Sequence, residues 1–244
     1  MVGAPAAADA VKRARALPSL RVGLHVVLVN GDPILPPAQI PALVDASGRL
    51  PNALAGLSIR SAMNASVRRQ MSAEIAAQFD AFRATGLPLD HVNTHRHFHL
   101  NPIAAAAIVR IGRQYGMRAL RVPFEPWRIV ADIDPQTRRL AARLVAPWAA
   151  FMRDQVRRAG LIAPDVVFGL AWSGAMTKSR LVSLLGRLPP GFVEIYLHPA
   201  TNDAFADAAP GYRYADEFAA LCDTDCIAAA RRSGYAIGGY ADAG

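Results

Sequence analysis

The chain has 244 residues, 52% of them hydrophobic and 19% charged, enough apolar content to bury one substantial core, so a single domain over residues 1–244 is expected. No apolar run reaches the roughly 18 residues needed to span a bilayer, which argues against a helical membrane protein. The net charge of +8 is not accompanied by a basic run interleaved with aromatics, by zinc-finger spacing or by a recognition helix, so nucleic acid is not expected as a partner.

In chain order, a helix is expected from Ala7 to Leu17, a strand from Arg21 to Val29 and a proline-rich loop from Asp32 to Pro51. A helix from Val67 to Thr85 then precedes a strand from Leu89 to His95, and a helix from Pro102 to Tyr115 precedes a strand from Ala119 to Val122. The pattern repeats with helix Gln136 to Ala159 and strand Val166 to Leu170, then helix Lys178 to Arg187 and strand Val193 to Leu197. Helix Ala215 to Ser233 and a strand from Tyr235 to Gly238 close it. Strands alternating with helices of this length indicate parallel β-α-β units. About six strands and six helices fall short of the eight of each in a closed parallel barrel. Met1-Val2-Gly3 leads straight into a helix and reads as the tail of a strand, which would make the barrel incomplete at its N-terminus. On periodicity alone, an open doubly wound sheet stands level with that reading.

Arginine supplies most of the positive charge, scattered along expected helices at Arg138, Arg139, Arg143, Arg153, Arg157 and Arg158. A basic amphipathic helix suits an anionic membrane surface, and the plainer alternative is a solvated arginine-rich face. The first residues lack the basic start and long apolar middle of a secretory signal, so the cytoplasm is the expected location, with peripheral contact at the inner membrane surface. Cys222 and Cys226 lie four apart in one expected helix with no histidine nearby to complete a zinc motif, and they read as reduced thiols.

Of the six histidines, His95, His97 and His99 recur at spacing two directly after an expected strand. In extended backbone that spacing points three imidazoles to one face. His25 falls in the carboxyl half of another apolar strand and His198 at the end of a third, so a barrel would bring all of them to one rim. Converging imidazoles, an open coordination position and a titratable group are what metal-assisted hydrolysis needs. His91, nearer its strand's start, reads as structural. Carboxylates fit less well: Asp90 and Glu194 stand four or more residues before His95 and His198, and Asn93 can hydrogen-bond but cannot act as a base. No glycine-rich phosphate loop occurs, and Ser173 lacks the flanking glycines of a nucleophile elbow. Trp172 is a candidate to stack on a sugar ring, although such an aromatic also serves as a core lid.

The segment Leu89-Asp-His-Val-Asn93-Thr-His95-Arg-His97-Phe-His99-Leu-Asn-Pro102 resembles the Asp-Ser-His-x-His-x-His signature of the YdjC-like carbohydrate deacetylases. Gly23-Leu-His25 and Leu197-His198-Pro199 are similar to two further elements of that family. The stretches Ala4 to Ala10, Arg121-Val-Pro123 and Trp172 to Thr177 resemble members associated with hopanoid biosynthesis. The resemblance implies an α/β fold, a distorted (β/α) barrel of the glycoside hydrolase/deacetylase type, and a divalent cation, Mg2+ or Zn2+, that activates water against an N-acetyl group of a sugar. It implies His25 and His95 as metal ligands and His198 as the proton-transfer group. His97, His99, Asn93, Arg121 and Trp172 would line the substrate site or support the ligands. The implied substrate is an N-acetylated sugar, in this branch an N-acetylglucosaminyl lipid headgroup.

Two departures stand out. Nothing matches the family's opening strand with its paired aspartates, so the chain is expected to lack the first strand and helix and to have weak or no activity. Asn93 also stands where the signature has aspartate. Two other readings remain: another metal-dependent hydrolase, such as an amidohydrolase or phosphoesterase, and a non-catalytic protein that binds a sugar-lipid headgroup.

Overall fold

The computed structural model describes residues 1–137, 140–205 and 208–243 and shows a mixed α/β chain that divides into two compact units. The first unit comprises Met1–Arg121, Val156–Ile162 and the residues from Gly238 on. It contains α1 (Ala7–Ala16), β1 (Leu24–Val26), α2 (Leu54–Met63), α3 (Ala65–Ala84), β2 (Val92–Thr94) and α4 (Pro102–Gln114). Strands β1 and β2 pair in parallel with Leu24 opposite Val92, His25 opposite Asn93 and Val26 opposite Thr94. Single parallel bridges, Val92 with Leu120 and Ala119 with Ile162, carry the ladder through two more segments.

The strand expected from Arg21 to Val29 is regular over only three residues, and the cause is a side chain from α3. Gln78 accepts the Val27 amide proton at 2.8 Å and donates to the Val27 carbonyl at 2.7 Å, taking the place of a strand neighbour. Its helix neighbour Glu74, fully buried, accepts the amides of Ile34 and Leu35 at 2.8 and 3.0 Å. Both polar side chains are tolerated in the interior because they satisfy backbone donors that would otherwise be lost to water. Met71, Ile75 and Phe79 of α3 and Ile108 of α4 are buried with Leu24, Val26 and Val92, and α3 lies against β1 and α4.

The second unit, Val122–Gln155 with Ala163–Ile237, contains α5 (Trp127–Ile133), α6 (Leu140–Arg158, which continues past the unit's boundary), β3 (Val166–Phe168), α7 (Lys178–Leu185), β4 (Val193–Ile195), α8 (Tyr214–Cys222) and α9 (Thr224–Arg232). Strands β3 and β4 are parallel with Val167 opposite Glu194. The core collects Val130, Phe168, Trp172, Met176, Leu184 and Cys226. Two buried carboxylates tie down the loops after the strands. Glu125 accepts the amides of Gly169, Leu170 and Ala171 at 2.9, 3.0 and 2.9 Å, and Glu217 accepts those of Met176, at 2.9 Å, and His198.

Four expectations about the elements need correction. Helices α2 and α5 occupy stretches where none was expected; each starts without a side-chain cap, after Ala53 and Pro126. The single helix from Ala215 to Ser233 is two, because Asp223 adopts extended backbone and caps α9 through the Asp225 amide at 2.8 Å. Cys222 and Cys226 are free thiols, but they lie on different helices and share no helix face. Tyr235 to Gly238 forms no strand; the chain runs into a 3-10 turn at Tyr240–Asp242. Arg138 and Arg139 lie outside the described residues.

Candidate active site

The β1–β2 register decides what meets at the first unit's site. Opposed residues in a parallel ladder project to the same side, so His25 faces Asn93. The Asn93 Oδ1 accepts a hydrogen bond from His25 Nδ1. The other nitrogen, His25 Nε2, lies 3.5 Å from His95 Nδ1, with the two rings edge to face. Two donors each about 2.1 Å from a tetrahedral cation stand about 3.4 Å apart, so this pair has the spacing of one edge of a metal's ligand shell. The fit extends to two ligands: among the described residues, no group of three or more His, Cys, Asp or Glu is placed to hold a metal ion.

His25 is pushed down to about 3, chiefly by burial, with the positive charges of the Met1 amino group and Arg121 acting in the same direction. It is therefore neutral at physiological pH, the form that can coordinate. Arg121, expected to line the site, makes its charge felt at both His25 and His99.

The three imidazoles expected on one face are not there together. Strand β2 stops at Thr94, and Arg96 and His97 take left-handed backbone with φ of 52° and 53°, which destroys the alternation. The Arg96 side chain donates to the Asn52 carbonyl at 3.1 Å. His95 thus meets His25, the His97 ring lies edge-on to His99, and His99 is fully buried with its Nδ1 2.7 Å from Thr94 Oγ1.

Burial, reinforced by the Arg121 charge, also pushes His99 down to about 3 from 6.5. Between those values the unfolded chain takes up a proton at His99 that the native protein refuses. Its contribution is thus complete above pH 6.5 and is lost as the pH falls toward 3. The expected loss is about 1.4 kcal/mol per pH unit, and a His99→Gln variant is expected to show a correspondingly flatter fall in urea midpoint between pH 7 and pH 5.

In the second unit, His198 follows β4 with its backbone amide held by Glu217 and its ring against Tyr196 and Tyr212, at centroid distances of 5.5 and 5.1 Å. Trp172 does not offer a face to a sugar: it is 2% exposed, its Nε1 donates to Thr137 Oγ1 at 3.1 Å, and it belongs to the core. Asp90 and His91, neither of which the sequence pattern places among the ligands, hydrogen-bond to each other at 2.9 Å and reach Asn93 through His91 Nε2 at 3.2 Å. The signal available was the spacing of two between His91 and Asn93, which places both on the His25 side of the strand.

Comparison with known proteins agrees with the signature. A carbohydrate deacetylase from Geobacillus stearothermophilus is 27% identical over 231 residues, covering 93% of this chain and 78% of that protein. Another from Brevibacillus brevis is 31% identical over 119 residues, which is 48% of this chain and 43% of that protein. The fold is shared with a crystal structure from Enterococcus faecalis V583, of a protein provisionally named for cellobiose-phosphate cleavage, at a TM-score of 0.72 and 21% identity over 99% of this chain and 85% of that one. The profile of the YdjC-like protein family matches residues 1–232, which include His25, His95 and His198, and the chain belongs to that family.

Proposed function

We propose that this protein is a sugar N-deacetylase, hydrolysing the acetamide of an N-acetylated sugar, with His25 and His95 holding a divalent cation, Zn2+ or Mg2+. The observation that carries the reading is the pair of imidazole nitrogens 3.5 Å apart, one of them on a ring whose far nitrogen is fixed by Asn93. The names of the bacterial relatives support the reaction class. A cation bound there supplies polarisation of the acetyl carbonyl and a more acidic water. Arg121, whose charge reaches His25, suits an oxyanion developing at that carbonyl. His198 is proposed to move the proton to the leaving amine, and His97 and His99 to back the site. The remaining ligand or base, a carboxylate, is proposed to come from outside the described residues, so turnover by these residues alone is expected to be weak. The parallel order within each unit supports a distorted (β/α) barrel.

The proposed substrate is an N-acetylglucosaminyl lipid headgroup at a membrane surface. Helix α6 supports the approach: Leu144, Trp148 and Phe151, 72%, 38% and 50% exposed, lie along one stripe, and Arg143 is exposed beside it. A basic helix with exposed Trp, Phe and Leu suits an anionic interface. No helix among the described residues is long and apolar enough to cross a membrane. Co-sedimentation with vesicles containing phosphatidylglycerol is expected to fall at least about tenfold in a Leu144→Ser/Trp148→Ser/Phe151→Ser variant. Equal binding by both forms would contradict this approach.

The reaction is tested by supplying Zn2+ or Mg2+ and comparing acetate release from N-acetylglucosaminides with phosphate release from an aryl phosphate. Slow acetate release alone is expected. Phosphate release alone favours a phosphoesterase. No turnover, with headgroup affinity that survives loss of His25 and His95, favours a binding protein.

A further inference from the structure

We propose that Asp90 and His91 are positioning residues that set the tautomer of His25 through the side-chain amide of Asn93. A chain of hydrogen bonds runs Asp90, His91, Asn93, His25, and its polarity follows from one end. An ionised carboxylate can only accept, so His91 Nδ1 must carry the proton it donates to Asp90 Oδ2. The Asn93 Nδ2, which can only donate, faces His91 Nε2 at 3.2 Å, so that ring nitrogen is the acceptor. The Asn93 Oδ1 is left to accept from His25 Nδ1, and His25 Nε2 is left with a bare lone pair facing His95.

Each link is held in place. Asp90 is 6% exposed and accepts the amides of Tyr240 and Ala241 at 3.1 and 3.0 Å. Burial opposes its charge, but the Ala241 amide, His91 and the Tyr240 amide together outweigh burial and hold the carboxyl below the usual range. The His91 ring stacks on Tyr240 at 4.3 Å between centroids. Gly23 leaves the space for that ring, since a Cβ there would sit 2.6 Å from His91 Cε1. The last turn of the chain is therefore linked, through Asp90, to the ring that faces His95.

The test uses the metal-free protein with 15N-labelled histidine, in which long-range proton–nitrogen spectra report which ring nitrogen is protonated. His25 is expected to be a single Nδ1–H tautomer. His91→Phe keeps the stack on Tyr240 but removes the acceptor, freeing the Asn93 amide to turn over, and the Nε2–H form of His25 is expected to appear. His91→Gln restores an acceptor and is expected to restore the wild-type tautomer. An Nε2–H form in the wild type, or an unchanged His25 in His91→Phe, overturns the proposal; so does a His91→Gln protein that behaves like His91→Phe. The consequence for Zn2+ rests on His25 being a ligand: binding is expected to weaken about 10- to 100-fold in His91→Phe. A tautomer change without loss of Zn2+ affinity would uphold the positioning role and refute the ligand assignment instead.

Discussion

Replacing His25 or His95 by alanine is expected to weaken Zn2+ binding by more than about 100-fold, as read by competition with a chromogenic chelator, because loss of a ligand exceeds the 10- to 100-fold that loss of a supporting residue costs. The two variants should behave alike, since their nitrogens lie 3.5 Å apart and are proposed to bind one ion. His97→Ala should retain most of the affinity, because the left-handed turn sets the His97 ring against His99. A chain in which His97 mattered as much as His95 would instead require the extended arrangement that the sequence spacing suggests.

The second large effect is on stability. Glu125 is 5% exposed and its carboxylate accepts three backbone amides from the loop after β3. Glu125→Ala strands those donors in a buried position and is expected to cost about 3 kcal/mol or more, measured as a lowered urea midpoint. The loop leads directly into Trp172, so core packing around that indole should loosen in the same variant. Glu125→Ala at full stability would show that water satisfies the loop amides as well as the carboxylate does.

The parallel strand-helix alternation was legible because it rests on apolar periodicity, which both units express in the pairs β1–β2 and β3–β4. The approach of His25 to His95 was also legible, since His25 lies in one apolar strand and His95 directly follows its parallel partner. The turn after β2 was not: spacing two reads as one face only while backbone stays extended, and nothing in Arg96-His97 marks a left-handed pair. The buried carboxylates Glu74, Glu125 and Glu217 were invisible for a related reason. Helical or loop glutamate reads as surface until the loop whose amides it binds is known, and those loops lie 39 to 46 residues away in sequence for Glu74 and Glu125. Asp90 is illegible as a site residue because its distance in sequence from His95 suits no ligand, whereas its hydrogen bonds reach His25 through two intermediate side chains.

The most direct test of the shared cation site is a Co2+ titration of the 15N-histidine protein, followed by paramagnetic shifts and by the visible absorption of the ion. His25 and His95 are expected to shift together and saturate at one equivalent, with His91 and His99 perturbed less. Saturation with only one of the two rings affected, or uptake that persists when both are replaced, would contradict a cation held between them.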